Sequence, residues 1–139
     1  MRALLAILTL FILISCANSK DSSSNEVKNT NTNSFVLDTI LNKHRTVLTL
    51  ENEKLTQGIK NEIRFEIEEI DAKNIVIYTS TSEATVKIGK QFGYFEVTPV
   101  LTVKQVTITV NHLENGKMIK LGQIELKTTH NTCSKIIAV

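Results

Sequence analysis

The chain has 139 residues, a formal net charge of +2, two cysteines and no tryptophan. A near-neutral balance without a basic stripe argues against a nucleic-acid partner, and the length accommodates one domain with a modest core. Two cysteines without a Cys-x-x-Cys pair or a His–Cys cluster support neither a redox site nor a structural metal.

The amino-terminal segment predicts an exported, lipid-anchored protein. An apolar run over residues 3–14 follows Arg2, and it is too short to span about 30 Å of hydrocarbon at about 1.5 Å per residue. Residues 13–16, Leu-Ile-Ser-Cys, resemble the lipobox of bacterial lipoprotein precursors. The resemblance implies cleavage between Ser15 and Cys16 and acylation of Cys16. The alternative is an ordinary secretory signal with an incidental cysteine.

Behind this signal peptide (1–15), residues 16–34 predict the lipidated cysteine and a flexible tether. Ser, Asn, Thr, Lys and Asp dominate the tether, and such a segment buries too little apolar surface to offset its ordering entropy. Two or three acyl chains hold a protein stably at a membrane, whereas one does not. Ala17-Asn18 follows the cysteine, and the lack of an aspartate there resembles lipoproteins that are sorted to the outer membrane, where we expect the periplasmic face. Lys20-Asp21 resembles a surface-export signal only weakly, which leaves surface display open.

The second cysteine has no predicted intrachain partner. Lipidation consumes Cys16, so Cys133 stands alone in a carboxyl-terminal tail, residues 131–139. A lone exported cysteine pairs between chains or remains a free thiol, but we favour an incidental residue. Once residues 1–15 are removed, 15 Lys and Arg oppose 14 Asp and Glu, a net charge of +1.

From residue 45 onward, apolar side chains alternate with period two, which predicts β-strands. Ile75–Tyr78 is apolar on both faces and predicts a central strand, and Pro99 predicts the end of a preceding strand. Phe35–Leu41 fits a short helix or an edge strand, and we favour the strand. The seven predicted strands centre on residues 47–50, 63–67, 75–78, 86–88, 93–97, 106–110 and 117–127.

Turn residues support this strand assignment. Asn115-Gly116 predicts a type I′ hairpin turn, because both residues accept a positive φ. A β-bulge at Gly122 would bring Leu121 and Ile124 to one face. The predicted fold class is all-β, a single immunoglobulin-like antiparallel β-sandwich of about seven strands over residues 35–130. Without a tryptophan or a cysteine pair, it is not the antibody subtype.

Four segments of the chain resemble the immunoglobulin-like periplasmic domains of GldM, the gliding-motility and type IX secretion protein of Bacteroidetes. The segments are Leu55–Ile63, Gly93–Pro99, Val106–Val110 and Leu121–Lys127. The chain departs from that family at Glu62, where a proline is usual, and at Leu121, where methionine is usual. Membership implies a structural or docking module, not a catalyst. GldM itself has a transmembrane helix and several such domains, so this chain would be an accessory part.

Neither a metal site nor a catalytic site is predicted. The densest acidic group, residues 66–71, fits a solvated strand face better than a cation site or a catalytic pair. The histidines His44, His112 and His130 lack metal-ligand spacing. No nucleophile elbow, phosphate loop or dinucleotide motif occurs. We therefore expect no enzymatic activity, no cofactor and no small-molecule substrate.

These features favour a non-catalytic module that docks an envelope protein through a sheet edge or loop tips. A small inhibitor or immunity protein that blocks a hydrolase or toxin is the alternative. A surface glycan-binding adhesin is weaker, because Tyr78, Phe92 and Tyr94 are few and scattered. The candidate partner-binding residues lie in two loops: Thr79, Ser80, Thr81, Ser82, Lys90, Gln91 and Phe92.

Overall fold

A computed structural model describes residues 33–131, which form nine β-strands and one short 3₁₀ turn. The predicted signal peptide, Ser15, Cys16, nearly all of the predicted tether and Cys133 lie outside the described residues. The strands are β1 (Phe35–Leu41), β2 (His44–Leu50), β3 (Leu55–Thr56), β4 (Asn61–Ile67), β5 (Ile75–Tyr78), β6 (Ala84–Ile88), β7 (Tyr94–Pro99), β8 (Gln105–Glu114) and β9 (Lys117–Thr129).

The strands form two facing sheets, so the prediction of an all-β sandwich is confirmed. The first sheet has the order β1-β2-β4-β7-β6, and the second has the order β3-β9-β8-β5. Every pairing is antiparallel except the short parallel contact of β3 with β9. The nine strands exceed the predicted seven because Phe35–Leu41 is a strand and because β3 has no period-two pattern to announce it.

Period-two alternation places the core between the sheets. In β4, Ile63, Phe65 and Ile67 are buried, while the charged residues between them face water. Phe65 meets Phe95 of β7 edge to face, with ring centroids 6.0 Å apart, the geometry that the ring quadrupoles favour. Val106, Ile108 and Val110 of β8 are fully buried on the opposite side.

The β8–β9 hairpin confirms both turn predictions. Asn115 and Gly116 have φ values of 49° and 75°, as a type I′ turn requires. Val110 pairs with Gly122 and Asn111 pairs with Lys120, so Leu121 is the additional residue of a bulge. Leu121 is buried on the core side, although the hairpin end over residues 113–120 is exposed throughout.

β1 and β5 are both edge strands, one as predicted and one not. β1 lies at the end of the first sheet, as the favoured edge-strand interpretation of Phe35–Leu41 requires. The prediction that Ile75–Tyr78 is a central strand is wrong, because β5 lies at the end of the second sheet. Its inward residues Ile75 and Ile77 are buried. Val76 on its outer face is half-buried, which is why both faces of the strand are apolar.

Candidate partner-binding groove

The two predicted partner-binding loops lie at opposite ends of one edge strand. Residues 79–83 connect β5 to β6, and residues 89–93 connect β6 to β7. Because β5 and β6 end different sheets, the chain crosses from one layer of the sandwich to the other between them. The two groups of predicted residues are therefore separated by the length of β6.

The first loop is a compact turn whose polar groups bond to one another. The hydroxyl of Thr79 donates to the carbonyl of Ala84 at 3.1 Å, and the Ser80 and Ser82 hydroxyls lie 2.7 Å apart. The N–H of Glu83 donates to the Ser80 carbonyl at 2.9 Å. The Glu83 carboxylate accepts the N–H of Thr107 at 2.7 Å. The Glu83 bond holds the turn against β8, and the internal bonds engage the hydroxyls of Thr79, Ser80 and Ser82, three of the four predicted partner-binding residues of this loop.

The second loop presents an apolar side chain instead. The N–H of Gly89 donates to the Tyr94 carbonyl, and the N–H of Phe65 donates to the Gly93 carbonyl, both at 2.8 Å. Gly93 has a φ of 83°, a conformation that glycine adopts without steric penalty. Between these fixed points, the Phe92 side chain is 69% exposed. The loop is thus anchored at both ends and carries Phe92 in solvent.

A groove of about 200 Å³ opens between β5 and the β6–β7 hairpin. Its walls come from the 3₁₀ turn, from β5, from the end of β6 and from the loop that carries Phe92. The lining residues are Ala72, Lys73, Ile75, Val76, Ile77, Val86, Lys87, Ile88, Phe92, Gly93, Tyr94 and Phe95.

Ile88 is the residue of this groove that the strand pattern does not account for. Side chains at every second position of a strand share a face, so Ile88 shares the inward face of Ala84 and Val86. Ala84 is buried and Val86 packs against the core, but Ile88 is 77% exposed. The inward face of β6 therefore ends on an uncovered apolar side chain beside Phe92.

The rim of the groove is basic. Lys73 and Lys87 belong to its lining, which includes no acidic side chain, and Lys90 lies in the adjoining loop. Lys73 pairs with Asp71 at 3.3 Å. The backbone N–H of Lys73, followed by its ammonium group, holds the pKa of the Asp71 carboxyl below its ordinary value. Glu96, the cross-strand neighbour of Lys87, makes its ion pair with Lys60 at 3.5 Å.

The acidic group does not form a cation site. Glu66 pairs with Arg64 of its own strand face, and Glu69 lies 3.9 Å from the ring of His44. Throughout residues 33–131, no three His, Cys, Asp or Glu side chains are placed to hold a metal ion. Arg64 stacks over the Tyr94 ring, with its guanidinium carbon 5.5 Å from the centroid. That contact occupies one of the three aromatic rings considered for sugar stacking.

Comparisons with models of known protein families, with curated proteins and with solved structures found no match for this chain. None of the helical structure within residues 33–131 is long and apolar enough to cross a membrane.

Sequence reasoning selected Phe92 but missed Ile88. Part of the signal for Ile88 is present in the sequence, because Ala84, Val86 and Ile88 alternate as one apolar strand face. What the pattern lacked was the order of the strands in the two sheets. β5 and β6 each lie at the edge of a different sheet, and Ile88 is exposed at this open side of the sandwich.

Proposed function

We propose that this protein is a lipid-anchored bacterial envelope lipoprotein whose β-sandwich is a non-catalytic protein-interaction module. Cys16 carries the lipid at the outer membrane, and the tether allows the domain to reach a partner in the periplasm. The observation that carries the interaction role is the pair of exposed apolar side chains, Ile88 and Phe92, at one groove. Fully burying such a side chain contributes about 1.5–3 kcal/mol, so two adjacent ones make an effective anchor.

The strand order supports an immunoglobulin-like assignment within this proposal. The pairings β2–β4, β4–β7 and β7–β6 follow the order A-B-E-D of the constant-type sandwich, and the second sheet supplies C-F-G from β5, β8 and β9. β1 and β3 are additions to that plan. The proposed relationship to GldM rests on this order and on the four similar segments, and it suggests an accessory role near gliding or type IX secretion machinery.

Site-specific crosslinking in cells that produce the full chain tests the interaction role. A photoreactive phenylalanine analogue replaces Phe92 in one variant and Glu62, exposed on the outer face of β4, in the matched control. We expect a discrete crosslinked protein from the first site and none from the second. Adding Ile88→Glu to the Phe92 variant should remove the product, because a charge on the groove wall opposes burial of the apolar anchor.

The result also separates the candidate partners. A secretion-machinery subunit or another envelope structural protein supports the proposal. A hydrolase or toxin that loses activity in the complex would replace it with an inhibitor or immunity function. Identical products from both sites, or a product indifferent to Ile88→Glu, would refute the groove as the binding surface.

A further inference from the structure

We infer that the groove binds an extended segment of another envelope protein, which joins the first sheet as a new strand beside β6 and carries an acidic residue between two apolar ones. This inference rests on the proposed function and adds the partner's conformation and side-chain pattern. It follows from the backbone edge of β6, from the alternation of its side chains and from the charges around it.

The backbone of β6 is open to such a strand. Within the described part of the chain, β6 pairs with β7 and with no other strand. Gly89 donates to the Tyr94 carbonyl, and hydrogen-bonded pairs alternate along an antiparallel ladder. Lys87 is therefore a bonded partner of Glu96, whereas the N–H and C=O groups of Val86 and Ile88 point away from β7. Those groups are the donors and acceptors that an added strand would use.

The side chains of β6 set the pattern of the added strand. Val86 and Ile88 lie on the inward face of β6, and Lys87 between them alternates to the other face, from which it contributes to the rim of the groove. Because side chains of neighbouring strands on one face lie side by side, residues beside Val86 and Ile88 would enter the groove toward Phe92. The residue beside Lys87 would lie on the wet face. An extended partner that satisfies both faces alternates apolar, polar and apolar residues.

The charges around β6 favour an acidic residue at the partner position that lies beside Lys87. Among residues 33–131, Lys87 has no ion-pair partner, since its neighbour Glu96 is paired with Lys60. Lys90 adds positive charge in the adjoining loop, Lys73 is balanced by its ion pair with Asp71, and no acid lines the groove. A basic residue beside Lys87 would be repelled, which is how edge lysines discourage unselective strand pairing. An Asp or Glu there gains a cross-strand pair instead.

A second copy of this chain fits less well. β1 is also an edge strand, but Val36, Asp38 and Ile40 share its outer face, so the chain neighbours of Asp38 are Leu37 and Thr39 and not two apolar residues. In addition, the Arg45 side chain already donates to both carboxylate oxygens of Asp38, with Nε distances of 3.1 and 3.0 Å. The acid that Lys87 would need is thus engaged within its own sheet, and a foreign segment is the better occupant.

The test places a photoreactive side chain at Thr85, on the exposed face of β6, in the full chain. Crosslinked peptides are then sequenced by mass spectrometry in three further variants: Ile88→Pro, Ile88→Ala and Lys87→Glu. Proline removes the outward N–H without breaking the β7 ladder, and alanine is the matched control that keeps the N–H. We expect the yield to fall about tenfold for Ile88→Pro and Lys87→Glu, and only about threefold for Ile88→Ala.

The captured peptide should hold an Asp or Glu with an apolar residue on each side. Equal yields from Ile88→Pro and Ile88→Ala, a captured peptide without an acid, or capture of residues 35–41 of a second copy would each overturn the inference. Lys87→Glu leaves the backbone intact, so it remains decisive if Ile88→Pro does not fold. Loss of the product in Phe92→Ala but not in Ile88→Pro or Lys87→Glu would leave the proposed function standing without strand addition. Absence of any partner would refute both.

Discussion

Gly93, in the turn before β7, lies so close to Phe65 of β4 that a side chain at position 93 would be crowded as well as strained by its positive φ. The Phe65 N–H donates to the Gly93 carbonyl at 2.8 Å, and a Cβ on Gly93 would lie 3.0 Å from the Phe65 carbonyl oxygen. This contact joins the Phe92 loop to the centre of the first sheet. The position of Phe92 beside the groove therefore depends on the core.

Gly93→Ala should destabilise the domain by about 2–4 kcal/mol, because the positive φ alone costs about 1–2 kcal/mol and the close contact adds to it. Gly116→Ala is the control, since Gly116 has a similar φ of 75° but open space around the added Cβ. Urea unfolding measures both. Equal losses for the two variants would contradict the role of the Phe65 contact.

Asn61 connects three backbone segments through one side chain. Its Oδ1 accepts the Thr56 N–H at 2.8 Å, and the two protons of its Nδ2 are shared among the carbonyls of Thr56, Ile59 and Val97 at 2.9, 2.9 and 3.1 Å. Asn61→Ala leaves partly buried groups unpaired and should lower the free energy of unfolding by about 1–3 kcal/mol. Asn52→Ala, in an exposed loop, should change it by less than about 0.5 kcal/mol. A loss at Asn61 no larger than this control would be inconsistent with the bracing role.

Asp38 should make stability depend on acid pH. The Arg45 guanidinium holds the pKa of the Asp38 carboxyl below its ordinary value of 3.8, so the pair stabilises the fold above that value. The stabilisation is lost as pH falls through the lowered pKa of the folded state. Thermal melts between about pH 5 and about pH 2 should therefore show a smaller decline for Asp38→Asn than for wild type. Arg45→Gln should reduce the decline similarly, and an unchanged decline in both would rule out this pair.

Ile88 and Phe92 should contribute little to folding. Both are mostly exposed, so Ile88→Thr and Phe92→Ser should change the free energy of unfolding by less than about 0.5 kcal/mol. Phe95→Ala, in the buried core next to them, should cost about 3–5 kcal/mol. Chemical denaturation provides the comparison. A large loss from either exposed-site variant would mean that these side chains are structural, and crosslinking results on them would need reinterpretation.

Substitution of Cys16 tests the predicted localisation at the outer membrane. Cys16→Ala removes the acyl acceptor, so the protein should accumulate as uncleaved precursor or as soluble product instead of fractionating with the outer membrane. Its β domain should fold as before, because Cys16 precedes the first strand by many residues. The matched control is Cys133→Ala, which should fractionate as wild type. Outer-membrane fractionation of Cys16→Ala would refute the lipid anchor.

Local patterns in the sequence were sufficient to predict the sandwich. Alternation in Ile63–Ile67 and Val106–Val110 identified half-buried strands, and Asn115-Gly116 identified the hairpin, because each signal depends on backbone geometry within a few residues. The two-residue β3 escaped prediction because it is too short to alternate. Loop composition pointed to Phe92, but it also pointed to Thr79, Ser80 and Ser82, whose hydroxyls bond within their own turn.

The tertiary structure decided which strands are edges. Ile75–Tyr78 has the composition of a central strand but lies at an edge, since strand order is set by long-range pairing that local pattern does not encode. The same pairing leaves Ile88 uncovered and directs the outward backbone groups of Val86 and Ile88 to solvent. The alternation along the chain was enough to show that it forms strands with one apolar face, and residues 13–16 predict a lipid anchor at Cys16. Only the packing of two sheets of unequal extent determined where that apolar face remains open to a partner.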